Sequence, residues 1–148
     1  MKTIFRFLAG VFLGLLLLFA LLIAVETFSA VVHPFPEGFQ GTEEEICAHV
    51  ARYPAWVLAA VVPMWAATAL VSVRVAGAIG GRFSALTVGL LLNAALVCNL
   101  AMLPYPLWFK GASLLAILFA TAAAVWITMG SSQTSTVKNH RQVAEKQD

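Results

Sequence analysis

The sequence predicts an all-α membrane protein: a four-helix transmembrane bundle, N-in/C-in, with a short external interfacial helix. Three observations lead there. Of 148 residues, 61% are apolar and only 11% are charged, where a soluble domain carries about 25% charge. Four uncharged runs are long enough to cross hydrocarbon, which takes about 20 residues at a rise of about 1.5 Å each. The Lys and Arg residues, finally, fall unequally on the two sides that those runs define. A net charge of +2 is too small for a nucleic-acid binder, and the mean hydropathy of +0.89 excludes a soluble enzyme domain.

The first span covers residues 7–32. A basic start before an apolar run also suits a signal peptide, but this run exceeds the usual h-region of about 7–15 residues. Phe28 also stands where a cleavage site wants a small side chain, so an uncleaved helix is expected. The second span covers 55–75. One long uncharged stretch after Arg82 is divided by Pro104-Tyr105-Pro106, because two prolines so close cannot sit in a continuous helix. That gives spans three and four, 85–103 and 107–129. Together, 1–129 form one transmembrane domain, and the polar tail 130–148 is expected to be disordered and cytoplasmic.

Orientation follows from charge. With the N-terminus inside, Lys2, Arg6, Arg74, Arg82, Lys138, Arg141 and Lys146 are cytoplasmic, and only Arg52 and Lys110 are outside. The implied setting is a membrane crossed four times with both termini cytoplasmic, the lipid bilayer being the first partner.

The external loop 33–54 opens on His33-Pro34-Phe35-Pro36-Glu37-Gly38, a stiff turn that ends the first helix. Thr42-Glu43-Glu44-Glu45 is a capping box, in which the Thr hydroxyl and the third Glu satisfy exposed N–H groups reciprocally. A short helix over 43–52 follows, with Ile46, Val50 and Tyr53 on one face. On the inner side, Gly77, Gly80 and Gly81 mark a tight loop over 76–84.

Few residues offer chemistry. Glu26 is the sharpest, because an ionisable side chain within a span is costly and marks function by default. His33 lies seven residues on, two turns along the same face, so the pair suits proton relay or cation binding. Asn99 shares the depth of Glu26, while Asn93 falls nearer mid-membrane and suits a link between helices. Glu26, His33, Asn99 and Asn93 therefore form the candidate intramembrane polar site. Glu45 and His49 are i, i+4 neighbours and weak metal candidates, but a solvated helix face explains them more simply. Cys47 and Cys98 are too far apart in sequence for a C-x-x-C redox centre. No nucleotide or cofactor motif is present, so no cofactor, metal or catalytic residue is assigned and no nucleic acid is expected as a partner. Gly10-x-x-x-Gly14 and the stripe Ala112, Ala116, Ala120, Ala124 permit close helix approach.

Val25-Glu26, the His33–Gly38 run, Asn99 and Met102-Leu103-Pro104-Tyr105-Pro106-Leu107-Trp108-Phe109 together resemble a family of small four-span bacterial integral membrane proteins. That resemblance implies the four-helix architecture and draws attention to Glu26 and the Pro-rich turns; it implies no activity.

Three functions are compatible with these residues. The first is a non-catalytic accessory or assembly component of a membrane system, with a membrane-protein partner or as a homo-oligomer. The second is an oligomeric transporter or proton-translocating protein using Glu26. The third is a membrane-embedded enzyme at the outer face using Glu26, His33 and His49.

Overall fold

The computed structural model describes the backbone of residues 1–145 and the side chains of residues 1–130. The tail expected over 130–148 thus lies almost wholly outside the residues whose side chains are described. Five helices run in order: α1 (Lys2–Val32), α2 (Glu43–Val50), α3 (Ala55–Gly80), α4 (Arg82–Met102) and α5 (Leu107–Glu145), with no strand among the described residues. Four of them, α1, α3, α4 and the Leu107–Gly130 stretch of α5, are long and apolar enough to cross a membrane.

The breaks follow local chemistry. α1 stops where Pro34 bars its preceding residue from helical geometry, and the His33 N–H closes the last turn on the Ser29 carbonyl. The capping box of α2 is present: the Glu45 N–H donates to Thr42 Oγ1 at 3.3 Å, while Glu45 Oε2 accepts from the Thr42 N–H at 3.2 Å. α2 ends at Val50, two residues sooner than the sequence suggests. Pro104 and Pro106 part α4 from α5 as expected, and α3 continues through Pro63.

The glycine-rich connection differs from its reading as a loop. α3 runs on through Gly77 and Gly80, and Gly81 alone joins it to α4. Gly81 holds φ +82°, a left-handed conformation that glycine adopts without a Cβ penalty. Gly77 and Gly80 serve contact rather than turning. A Cβ on Gly80 would lie 2.8 Å from the Arg6 carbonyl oxygen, and one on Gly77 would lie 2.5 Å from Thr128 Oγ1. Composition marks such glycines as a loop; only the neighbouring helices reveal them as places where backbones meet.

α3 is the central helix. It packs against α1, α4 and α5; α4 also touches α1 and α5, whereas α1 and α5 do not meet. The core has two unlike halves. Toward α2 it is built from large side chains, with Leu18, Leu58, Trp65, Leu92, Leu96, Phe109 and Ile117 among its buried members. Toward Gly81 it consists of Val73, Ala76, Ala85, Val88 and Ala124. There Gly10 and Gly14 of α1 press on the backbone of α3, and Ser84 Oγ donates to the Phe7 carbonyl at 3.1 Å. The outer surface carries Phe12, Phe19, Ile23, Leu90, Phe119 and Trp126, each more than half exposed. Such a surface suits lipid as its solvent and would associate in water.

Candidate functional site

The change from small to large side chains along the core opens a cavity in the half toward α2. About 270 Å³ in volume, it has walls from four helices: Leu18, Leu22 and Glu26 of α1, Trp65 and Thr68 of α3, Leu92, Ala95, Leu96 and Asn99 of α4, and Ile117 of α5. Trp65 and Thr68 stand three residues apart on α3, hence on one face. The position of this cavity reflects how α1 sits. Gly10 and Gly14 hold α1 against α3 on one side of it, and Leu18 and Leu22 with their longer side chains border the opening further along.

The polar groups here are few and incompletely satisfied. Trp65 is buried and its Nε1–H has no acceptor among the described residues. A buried donor without a partner costs about 1–3 kcal/mol, so such a group calls for water or a ligand. Glu26 and Asn99 are exposed on the bare chain and form the rim. Glu26 makes no hydrogen bond or ion pair with a described residue. It also belongs to a second cleft of about 470 Å³ along α1, bounded by Phe19, Leu22, Ile23, Thr27, Ala30, Phe35 and Tyr53. One carboxylate thus faces two apolar recesses.

Tyr53 connects this region to the end of the bundle. Its hydroxyl is hydrogen-bonded to the Ser29 side chain, and burial followed by the nearby Glu26 charge pushes its acidity to higher pH. Tyr105, in the turn between α4 and α5, is shifted upward by burial first, then by Glu26 and Tyr53. The Tyr53 ring lies 4.7 Å from His33, and His33 stacks on His49 at 4.4 Å. Phe35 covers His49 at 4.4 Å. Among the described residues α2 makes no close backbone approach to the other helices, and it is these rings and the buried Val50 that face the bundle.

His49 departs from the sequence reading. Instead of lying on a solvated face it is 7% exposed, while Ile46, on the apolar face with Val50 and Tyr53, is exposed. Burial, then the neighbouring His33 and Arg52, lowers the His49 pKa below its ordinary value of 6.5. Nε2 of His33 and of His49 are both buried without a partner among the described residues. Glu45 does not turn toward His49 as a ligand. Its Oε2 accepts the Gln40 N–H at 2.9 Å and the Thr42 N–H at 3.2 Å, and these bonds lower its pKa. Among the described residues no group of three His, Cys, Asp or Glu is placed to hold a metal.

Of the four residues of the expected polar site, the structure joins Glu26 and Asn99 in one cavity. His33 belongs instead to a recess with His49, Glu45 and Arg52, and the Tyr53 ring beside it lines the second cleft that Glu26 borders. Asn93 links helices: its Nδ2 donates to the Gly89 carbonyl at 2.8 Å and to Thr121 Oγ1 at 3.2 Å. Trp65, Thr68, Tyr53 and Tyr105 were not among the expected residues. In the sequence, Thr68 and Trp65 carry no signal beyond their spacing on one helical face, Tyr53 is legible only as part of the face of the short helix, and Tyr105 only within the Pro104–Pro106 break.

No protein-family model, curated protein or solved structure matches this chain. Its resemblance to a four-span bacterial family stands on the residues quoted for it alone.

Proposed function

We propose that this chain is a small integral membrane protein that acts by contact, as a non-catalytic accessory or assembly component of a membrane system. One observation carries the reading. Among the described residues, the cavities that Glu26 and the histidines border lie in the half toward α2, while the other half packs Gly10, Gly14, Ala76, Gly77 and Ala85 closely. That arrangement supports a role by contact, with a recessed face at one end of a closely packed bundle. Isolation from native membranes in mild detergent is expected to yield a stoichiometric membrane-protein partner. A monodisperse particle without any partner in several detergents would defeat the proposal.

The proposed setting is a bacterial inner membrane with both termini cytoplasmic and α2 outside, supported by the seven-to-two distribution of Lys and Arg. A membrane-impermeant maleimide applied to spheroplasts should label Cys47 on α2. Labelling only after lysis reverses the orientation.

A second reading, an oligomeric proton-translocating protein or transporter, is favoured by the sequence of titratable groups Glu26, Tyr53, His33 and His49 along one side of α1. Vesicles containing the chain would then show a proton flux that Glu26→Gln abolishes, and a flux indifferent to that substitution removes this reading.

A further inference from the structure

We infer that the cavity between α1, α3 and α4 is a binding site for a free amphipathic amine, its cationic head at Glu26 and its apolar body among Leu18, Leu22, Leu92 and Leu96.

The sign of the ligand comes from Glu26. It is a carboxylate six residues from the end of α1, about 9 Å along the helix axis, and no described residue neutralises it. A carboxylate at that depth is stabilised only by a proton, by water or by a positive partner. Arg52 lies between α2 and α3, Lys110 in the first turn of α5 makes no ion pair with Glu26, and Arg6, Arg74 and Arg82 belong to the opposite half of the bundle. No described residue supplies the compensating cation, which makes an external one the natural partner.

The body of the ligand follows from the walls. Apart from Glu26, Asn99, Thr68 and the Trp65 N–H, the cavity lining is aliphatic, which excludes a hydrated inorganic cation that needs several oxygen ligands. An ammonium group is suited to Glu26 as donor, to the Asn99 amide oxygen as a second acceptor, and to the Trp65 ring as an electron-rich face. At about 270 Å³ the cavity falls just under the range of about 300–1,000 Å³ typical for ligand pockets, so it takes a short aromatic or alkyl body. A phospholipid is the poorer occupant, since its headgroup would have to sink about 9 Å from the end of α1 to reach Glu26.

The test uses the full chain in nanodiscs of phosphatidylglycerol, with 4-phenylbutylamine as the probe and its neutral counterpart 4-phenylbutan-1-ol for comparison. Equilibrium dialysis, corrected for empty discs, should show saturable binding of one amine per chain. Binding should weaken about tenfold or more in Glu26→Gln, and the alcohol should bind about tenfold or more weakly than the amine. Lowering the pH should weaken amine binding, because protons compete for the carboxylate. Leu22→Trp keeps the charge and fills the cavity, and it too should lose the site; this variant decides the matter if Glu26→Gln does not fold. Non-saturable uptake, equal affinity in Glu26→Gln, equal binding of the alcohol, or binding retained by Leu22→Trp would each overturn the proposal. Displacement of the amine by phosphatidylethanolamine in the disc would overturn it in favour of a lipid. Absence of a copurifying protein partner bears on the accessory role and leaves this result untouched.

Discussion

Substituting Gly10 by Ala probes the seam that fixes α1 on α3. An added Cβ would lie 2.7 Å from the Ala76 carbonyl oxygen and from Gly80 N and Cα, where ordinary contact begins near 3.4 Å. The three atoms belong to backbone, so no side chain can swing aside and the helices must part. Overpacking of this kind costs about 1–3 kcal/mol. Parting the helices also strains two hydrogen bonds, Arg6 Nε to the Ile79 carbonyl at 3.3 Å and Ser84 Oγ to the Phe7 carbonyl at 3.1 Å, each worth about 0.5–1.5 kcal/mol. Against this stands a helix-propensity gain of about 1 kcal/mol for Ala over Gly. The net expectation is a loss of about 1–3 kcal/mol. Gly111 in α5 supplies the control, since a Cβ there meets nothing within 4 Å; Gly111→Ala should be neutral or stabilising by up to about 1 kcal/mol. Reversible unfolding of the full chain in mixed micelles, followed by tryptophan fluorescence, measures both. Equal stabilities for the two variants, or a Gly10→Ala protein as stable as the parent, would refute the close seam.

Three more expectations concern the ends and the middle of the bundle. Because burial lowers the His49 pKa, the folded packing of α2 binds fewer protons than its released state. Its stability should therefore be complete above about pH 6.5 and decline as pH falls through and below that value; hydrogen exchange over residues 43–50, normalised for intrinsic rates, should show protection falling on acidification, and pH-independent protection contradicts it. Both tyrosines are shifted upward, so ultraviolet titration should show less than half of the phenolate signal at pH 10, the ordinary tyrosine value. A half-developed signal there would mean that Tyr53 and Tyr105 are solvated. Asn93→Ala should cost about 0.6 kcal/mol and no more than about 1.7, measured in the same unfolding assay, and a larger loss would give Asn93 a role beyond the α4–α5 link.

How much of this was legible beforehand depends on what kind of interaction carries each feature. Spans and their proline breaks are local: an uncharged run and a Pro34 or a Pro104 act on their own neighbourhood, and the Thr42–Glu45 cap is complete within four residues. Gly77 and Gly80 were misread because a glycine that turns the chain and one that admits another helix look alike until Arg6 and Thr128 are in place. His49 was misread for a similar reason, since its burial depends on His33 and Phe35 folding back over α2. Glu26 and Asn99 share a depth that can be counted along helices of known rise, and both border one cavity. Trp65 could not be found in that way, because its importance lies in lacking an acceptor, a property that no spacing records.

The packing of α1 has a mechanical consequence. Gly10 and Gly14 bring it onto the α3 backbone, and Val25 and Ser29, on either side of Glu26, are buried as well. The recess beside Leu22 therefore lies in a stretch of helix anchored before and after it. An opening framed between two fixed points keeps its width unless the helix bows, so what enters is sorted by size at the rim where the carboxylate stands.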